Sequence, residues 1–267
     1  MSNAPSIDYL WQTLREEAAQ QAQDEPMLAS FYHASILNHE TLESALSFHL
    51  ANKLDGPTVP AMLIRQVFEE AFKKDSSIGK ALREDMQAYK DRDAACDQYT
   101  MPFLYFKGYH ALQSYRVAHW LWLNGRNSLA LFFQNRMSEV FDVDIHPGAK
   151  IGAGIMIDHA TGVVIGETAV VGNNVSMLHS VTLGGTGCQV GDRHPKIGDG
   201  VLISAGAKIL GNVSVGEGAK IGAGSLVLQD VAPHTTVVGV PAKVVGKPKV
   251  DKPALDMDHQ MPSEDNK

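Results

Sequence analysis

A six-residue repeat in the second half of the chain constrains its fold more than any other feature. An aliphatic residue recurs at every sixth position, and the same step resumes after an interruption of ten residues, 187–196. The positions of this column are Ile145, Ile151, Ile157, Val163, Ala169, Val175, Val181, Ile197, Ile203, Ile209, Val215, Ile221 and Val227. Twelve of these thirteen residues are Ile or Val, which suit short buried strands. Glycine, which suits tight corners, stands three places later in nine of the hexads.

This period predicts a β-helix, in which each hexad forms one side of a coil and stacked coils bury the aliphatic column. With about three hexads in a coil, residues about 18 positions apart should stack, and the hexads make a little over four coils. A low-complexity or elastic segment is the alternative, but such a segment does not hold one residue type in register across an interruption. The interruption predicts a loop that leaves the coil, and such loops usually carry function.

The first half of the chain follows a helical pattern instead. Only four of the 24 glycines fall before residue 141, and apolar residues recur at helical spacing, as in Leu10, Leu14 and Ala18. Thr41 is a candidate N-cap and Gly125 a candidate C-terminal cap, and we expect six to eight helices. The sequence therefore predicts an α+β chain. Its predicted units are a helical domain at 1–140, a β-helix at 141–246 and a polar, flexible tail at 247–267.

Composition and charge exclude several classes of protein. The chain has 267 residues, 44% of them hydrophobic and 20% charged, so it can fold around its own core without disulfides or metals. Its 23 basic and 30 acidic residues give a net charge of −7, which argues against a protein that binds nucleic acid over its whole surface but leaves room for a local basic pocket that binds a phosphate-bearing cofactor. No apolar run approaches the roughly 18 residues of a membrane span. Because there are only two cysteines, Cys96 and Cys188, and the start lacks a signal-peptide pattern, we expect a cytoplasmic protein.

Polar residues interrupt the repeat at Asp158 and His159. Asp158 directly follows Ile157, an inward residue of the column, so strand alternation predicts that its side chain points outward. Asp144 precedes the first coil and should stack beneath Gly162, close to His159 on the adjacent coil. A carboxylate that holds one imidazole nitrogen would leave the other as a general base near neutral pH. A surface histidine without a catalytic role is the alternative.

The interrupting loop carries a second polar group, Arg193 and His194. Arginine can bind a carboxylate through two parallel hydrogen bonds, which predicts a contact with a carboxylate substrate, whereas a solvated loop tip is the other interpretation. Cys188 in the same loop could be a nucleophile. Neither a helix N-terminus nor an assigned base accompanies it, so the sequence leaves its role open.

Together these motifs resemble a known family, the bacterial serine O-acetyltransferases, over roughly residues 9–250. The resemblance rests on DIHPGAKIGAGIMIDHATGVVIGETAVVG, SVTLGGTG, GDRHPKIGDG, AGAKILGN, GVPAKVVGKP, EPMLASFYHA, ALSFHLANKL and FKGYHALQSYRVAHWLW. It implies an N-terminal helical domain followed by a left-handed parallel β-helix. The left hand comes from the resemblance alone, since the general rule for parallel crossovers favours the right hand. The implied reaction moves acetyl from acetyl-CoA to the hydroxyl of L-serine in cysteine biosynthesis, without a metal.

The resemblance also implies roles for individual residues. His159 would be the catalytic base of a direct transfer in a ternary complex, and Asp144 the acid that orients it. The residues that would bind serine are Asp93 and Asp158 at its amino group and Arg193 and His194 at its carboxylate.

The implied acetyl-CoA track passes small residues whose backbone can bond the pantetheine arm. These residues are Gly185, Ala205 and Ala223. Lys220 and Lys243 are candidate phosphate partners on charge alone, and solvated surface lysines are the alternative for both.

An assembly and regulators follow from the same resemblance. Family members are trimers through their β-helices, with sites in the clefts between subunits, so Arg193 and His194 should act across an interface. The helical domains would be oligomerisation domains that pair two trimers into a hexamer. L-Cysteine should compete with serine as a feedback inhibitor. Docking of O-acetylserine sulfhydrylase is doubtful, because many members end in an isoleucine where this sequence reads Asn266-Lys267.

Three alternatives stay open at this point. A hexapeptide acetyltransferase for another acceptor, such as a sugar or an antibiotic, would share the repeat but not the residues that fit a zwitterion. A γ-type carbonic anhydrase would hold zinc with a close histidine pair, whereas His159, His179 and His194 are 20 and 15 positions apart. A non-catalytic scaffold would bind no acetyl-CoA.

Overall fold

The computed structural model describes residues 8–187 and 190–260, so Cys188 lies outside the described residues. Helices fill the first half of this part of the chain. The α-helices are α1 Tyr9–Asp24, α2 Ala29–Tyr32, α3 Leu42–Leu54, α4 Ala61–Lys74, α5 Ser76–Arg92, α6 Thr100–Leu104, α7 Lys107–Leu123, α8 Asn127–Phe141 and, near the C-terminus, α9 Pro253–Asp256. A 3₁₀ turn at Pro26–Leu28 precedes α2, and a π-helical turn at His33–Leu37 follows it.

Both helix caps expected from the sequence are confirmed. Thr41 is the N-cap of α3, and its side chain accepts a hydrogen bond from the backbone N–H of Ser44. Gly125 follows the end of α7 with φ +72°, a left-handed conformation that favours glycine, and its N–H donates to the carbonyl of Trp122.

Short strands make up the second half. They are β1 Val143–Ile145, β2 Lys150–Ile151, β3 Met156–Ile157, β4 Val163–Ile165, β5 Val170–Val171, β6 Ser176–Met177, β7 Thr182–Gly184, β8 Lys196–Ile197, β9 Leu202–Ile203, β10 Lys208–Leu210, β11 Ser214–Val215, β12 Lys220–Ile221, β13 Leu226–Val227, β14 Thr236–Val238 and β15 Lys243–Gly246. Among the described strands, all pairs are parallel except β14 with β15.

The strands form three sheets, and consecutive strands lie in different sheets. Sheet A has the order β1-β4-β7-β10-β13, sheet B the order β11-β8-β5-β2, and sheet C the order β15-β14-β12-β9-β6-β3. The chain therefore winds as a three-sided parallel solenoid of about five turns. This exceeds the four or so predicted, because β14 adds a further layer above β12.

The register of the solenoid corrects the predicted column. Val143 pairs with Val163, 20 positions on, whereas Lys196 pairs with Ser214, 18 positions on. Val170 pairs with Lys196, 26 positions on. The predicted interruption of ten residues is therefore two insertions, one of two residues within 158–162 and one of eight in the loop that precedes β8.

The two-residue insertion changes which residues stack. Between the insertions the stacked column runs through Ile165, Val171, Met177 and Leu183, two positions after the residues predicted for it. The predicted residues Val163, Ala169, Val175 and Val181 are nevertheless buried. Asp144 pairs with Val164, so its predicted position beneath Gly162 was wrong.

One continuous apolar core joins the helices to the solenoid. Helices α5 and α7 pack against the first coil, where Tyr89 and Tyr115 each donate a hydrogen bond to a solenoid carbonyl. Among the described residues, no helix combines the length and the apolar character that a membrane crossing requires.

Residues 247–260 lie against the solenoid. Ser176 Oγ donates to the carbonyl of Ala254 in α9, and Ser204 Oγ lies 3.0 Å from His259 Nδ1. The ammonium of Lys220 is buried beneath this segment and donates to the carbonyl of Gln260. The solvated-surface interpretation of Lys220 was therefore wrong, whereas the flexibility expected of the tail stays a prediction.

Candidate active site

The turn at 158–162 raises His159 above the surface of the solenoid. Strand β3 ends at Ile157, and the two inserted residues let the chain leave the regular contour before β4 begins. His159 and Ala160 both have left-handed backbones, with φ +56° and +60°. The side chain of His159 is 71% exposed, while that of Asp158 is 24% exposed. An accessible imidazole thus stands beside a carboxylate that points outward, as strand alternation predicted.

A cavity of about 500 Å³ opens beside this turn. Its walls come from the end of α5, from α6, from the start of α7 and from the end of β3. The lining residues are Tyr89, Asp93, Ala95, Met101, Tyr105, Phe106, Lys107, Gly108, Ile157, Asp158 and His159. Three of the predicted site residues therefore meet here: Asp93, Asp158 and His159. His159 Nε2 lies 3.5 Å from Asp158 Oδ2.

Asp93 reaches the cavity from the helical part of the chain. It follows α5 as its C-cap, and its Oδ1 accepts a hydrogen bond of 2.9 Å from the N–H of Ala95. One carboxylate oxygen is thereby fixed by the backbone. Two carboxylates that line one cavity can hold a cationic group such as an ammonium.

Asp144 is bound elsewhere within the chain. Its Oδ1 accepts a hydrogen bond of 2.7 Å from Gln134 Nε2 in α8. Within residues 8–187 and 190–260, no hydrogen bond joins Asp144 to His159. The imidazole ring of His179, on the next coil, lies edge-on to that of His159. The two ring centroids are 5.8 Å apart.

Arg193 and His194 lie at a different corner, between sheets A and B. Arg193 Nη2 donates to Glu167 Oε2 over 2.7 Å, which lowers the pKa of Glu167. The ring of His194 is buried against Gly166 and lies 2.9 Å from Thr168 Oγ1. Burial and the nearby Arg193 lower the pKa of His194, so the ring is neutral near pH 7. One chain alone does not bring these two residues into the cavity with His159.

The predicted acetyl-CoA residues fall into two groups. Ala205 and Ala223 occupy the corners that follow sheet C, and these corners stack, since Gly224 N–H donates to the carbonyl of Ala205. The same column of corners begins at His159. Gly185 lies instead beside Arg193 and His194, and Lys243 is exposed on β15.

Sequence reasoning missed most of the cavity wall, including Tyr89, Phe106, Lys107 and Gly108. A glycine in the first turn of a predicted helix is an unfavourable helix residue and can indicate close packing. Gly108 could therefore have been found, whereas no pattern distinguishes Tyr89 from other core aromatics.

A second cavity of about 590 Å³ lies in the helical part beside Arg83 and contains none of the predicted site residues. Arg83 there is paired with Asp8 and Glu43. In the described ranges, no group of three or more His, Cys, Asp or Glu side chains is arranged to hold a metal ion.

Comparison with known proteins identifies the same family that the sequence motifs resemble. Residues 10–114 match the model of the serine acetyltransferase N-terminal family, and residues 194–229 match the bacterial transferase hexapeptide family. The serine acetyltransferase of Escherichia coli (strain K12) is 61% identical over 252 residues, which cover 94% of this chain and 92% of that protein.

Solved structures agree with these matches. The crystal structure of serine acetyltransferase from Vibrio cholerae superposes with a TM-score of 0.94 at 63% identity, and the match covers 94% of this chain and 98% of that one. A serine acetyltransferase complex with cysteine has a TM-score of 0.93 at 54% identity, covering 95% and 99% of the two chains. The enzyme from Brucella abortus in complex with coenzyme A has a TM-score of 0.90 at 48% identity, covering 92% and 98%. The solenoid is thus the predicted left-handed parallel β-helix of hexapeptide repeats.

Proposed function

This chain belongs to the serine acetyltransferase family, and on that premise we propose that it moves acetyl from acetyl-CoA to the hydroxyl of L-serine. The products would be O-acetyl-L-serine and CoA, in the step that activates serine for cysteine biosynthesis. The observation that carries this proposal is that Asp93, Asp158 and His159 all line the same cavity. Membership of this family argues against another acceptor, a zinc-dependent carbonic anhydrase and a non-catalytic scaffold.

His159 is the proposed general base. Its imidazole is accessible, and histidine is the side chain that most readily takes and returns a proton near neutral pH. It would take the proton of the serine hydroxyl, the oxygen would attack the thioester carbon, and CoA would leave as the thiol after receiving that proton. Backbone N–H groups would stabilise the oxyanion that forms between these steps. No step requires a metal.

Serine would be oriented by its charges. The ammonium would lie against Asp93 and Asp158, which both line the cavity. We propose that Arg193 and His194 of a neighbouring subunit bind the carboxylate, because within one chain they lie at another corner of the solenoid. Asp144 is the proposed orienting acid. Since Gln134 holds it in the single chain, its contact with His159 would form only on assembly or on release from Gln134.

Acetyl-CoA would follow the column of corners above His159, where Ala205 and Ala223 leave the backbone accessible, and Gly185 would contact it at the neighbouring corner. Lys243 is exposed and open to a phosphate. Lys220 could reach a phosphate only after residues 258–260 move, because the segment covers its ammonium. The coenzyme A complex of the Brucella abortus relative supports acetyl-CoA as the co-substrate.

Three further proposals concern assembly, regulation and location. Trimers would form through the β-helix, and the helical domains would pair them into hexamers. L-Cysteine would inhibit at the serine site, since it carries the same ammonium and carboxylate, and a related enzyme has been solved with cysteine. A cytoplasmic location agrees with the low cysteine content.

The test is release of CoA thiol from acetyl-CoA in the presence of L-serine, L-threonine, a galactoside or no acceptor. We expect release only with L-serine. His159→Ala should lower kcat by roughly a hundredfold or more, the scale of a lost general base. His33→Ala, which removes an exposed histidine from the helical part, is the matched control and should keep wild-type activity. Folded protein without serine-dependent release would refute the function, and an unimpaired His159→Ala would refute the base.

A further inference from the structure

The backbone that precedes the catalytic turn lies at an open edge of the solenoid. Strand β3 is the terminal strand of sheet C, and it pairs only with β6. Met156 and Asp158 donate their N–H groups to that neighbour. Ile157 lies between these two residues, and its N–H and carbonyl point away from β6, to the side where no further coil exists. Left unpaired in the interior, each of these groups would destabilise the edge.

One hydroxyl from the helical part satisfies both groups. Tyr89 in α5 donates to the carbonyl of Ile157 over 2.9 Å and accepts from its N–H over 3.1 Å. The side chain of Tyr89 is 1% exposed. Burial raises the pKa of Tyr89 well above its ordinary value, so the hydroxyl keeps the proton that it donates.

Gly108 brings a second helix onto the same point. It lies in the first turn of α7, and a Cβ built on it would overlap the carbonyl oxygen of Ile157. The same Cβ would lie 2.9 Å from the hydroxyl of Tyr89 and 3.1 Å from the Cβ of Ala160. Any side chain at position 108 would therefore push α7 away from the turn. We call Tyr89 and Gly108 the helical clamp.

The turn that follows needs such support. His159 and Ala160 are consecutive non-glycine residues with left-handed backbones, a conformation that costs each of them energy. Strained backbones of this kind persist only where the surrounding structure over-determines them. Ala160 is fully buried beneath the turn, and Ile157 fixes the point at which the turn begins.

We propose that Tyr89 is a positioning residue of the active site, which holds Ile157 and thereby sets the places of Asp158 and His159. The helical domain is then part of the catalytic scaffold as well as an oligomerisation domain. This inference rests on the proposed function, because it assigns Asp158 to serine binding and His159 to proton transfer. It concerns the serine half of the site and leaves the corners at Ala205 and Ala223 unaffected.

Tyr89→Phe tests the proposal, since it removes the hydroxyl and keeps the ring. The chain offers two matched controls, because Tyr109 and Tyr115 are equally buried and each donates to one backbone carbonyl. Tyr109 contacts Leu82 within the helical part, whereas Tyr115 contacts Ala149 of the first coil, away from the turn. Both tyrosines would be changed to Phe, and all variants would be assayed for serine-dependent CoA release across pH.

We expect Tyr89→Phe to lower kcat/KM for serine by about tenfold or more, since small misplacements of reacting groups are costly. KM for serine should rise, the pH profile of kcat/KM should shift, and KM for acetyl-CoA should stay within about twofold. A purely structural loss would lower the active fraction, and with it the apparent kcat and kcat/KM, but would leave both KM values and the shape of the pH profile unchanged. Gly108→Ala should act in the same direction and serves as the second variant if Tyr89→Phe does not fold.

Two results would overturn the clamp. One is a Tyr89→Phe enzyme with wild-type KM for serine and a wild-type pH profile. The other is an equal change in Tyr109→Phe or Tyr115→Phe. Wild type and His159→Ala are measured beside these variants, so that a failure of the proposed function can be distinguished from a failure of the clamp. An inactive wild type would refute the function and the clamp together, whereas an active wild type with an unaffected Tyr89→Phe would refute the clamp alone.

Discussion

A buried ion pair joins the helical part to the first coil, and its removal should destabilise the whole chain. Asp85 in α5 is fully buried, and Arg116 in α7 is 8% exposed. Arg116 Nε and Gln113 Nε2 each donate to Asp85 Oδ2 over 2.8 Å, while the N–H of Ile155 donates to Oδ1 over 2.9 Å. Arg116 Nη2 also donates to the carbonyl of Gly152. The pair therefore links two helices and the solenoid.

Arg116→Met keeps an unbranched apolar stem and removes the guanidinium with its charge. It leaves the Asp85 carboxylate buried without a cation and the carbonyl of Gly152 without its donor. Removal of one partner from a buried pair costs about 3–5 kcal/mol, so we expect the free energy of unfolding to fall by that amount. Asp85→Leu combined with Arg116→Met should cost less than the two single changes summed, because the double variant leaves no charge unpaired.

Urea denaturation followed by circular dichroism measures this change. All variants must be compared at one protein concentration, since assembly makes apparent stability depend on it. Arg65→Met is the control, because Arg65 forms an exposed pair with Glu69 and should lose less than about 1 kcal/mol. A loss for Arg116→Met no larger than for Arg65→Met would refute the reasoning, as would strict additivity in the double variant.

Two further predictions concern the loop corner and the helical core. In Gly166→Ala the new Cβ would overlap the ring of His194, so KM for serine should rise severalfold in steady-state kinetics. Gly56→Ala is the control, because its Cβ would meet nothing closer than 3.8 Å. An unchanged KM for serine in Gly166→Ala would contradict the role of His194. Burial lowers the pKa of His49 to about 3 and that of His110 well below its ordinary value. Unfolded histidines titrate near about 6.5, so the unfolded chain binds more protons between these values and the free energy of unfolding falls as the pH drops below about 6.5. For His49 alone the loss at pH 5 is about 2 kcal/mol, measurable by urea denaturation at pH 5 and pH 7, and equal stability at both would refute it.

The repeat predicted the solenoid but not its register, and the reason is physical. In each hexad both the stacked residue and the residue two positions before it face the interior, as the burial of Ile165 and Val163 shows. Both positions therefore favour aliphatic side chains. A two-residue insertion moves the stacked position of each following hexad onto the other inward position, so the sequence still shows an aliphatic residue at every sixth place. The period survives the exchange, so the hydrophobic pattern alone could not locate the insertion at 158–162.

The candidate site was predictable only where its residues are close in sequence. Asp158 directly follows a buried strand, so its exposure could be inferred from alternation, whereas alternation did not settle on which side His159 would lie. Asp93 comes from the end of a helix 65 positions earlier in the chain, and only the resemblance indicated it. The burial of Lys220 depends on a segment 38 or more positions later, which no local pattern could reveal.

The two insertions explain why the chemistry lies where it does. A regular hexad corner holds its residues against the contour of the solenoid, where Ala205 and Ala223 present backbone and little side chain. Extra residues release the chain from that contour, and each insertion carries a pair of candidate groups, Asp158 with His159 in the first and the loop residues 193–194 in the second. The short insertion has too few residues to fold upon itself and adopts a strained backbone, so it requires an outside support. Helices α5 and α7 supply that support, because they cover the first coil, whose lower edge is otherwise unpaired.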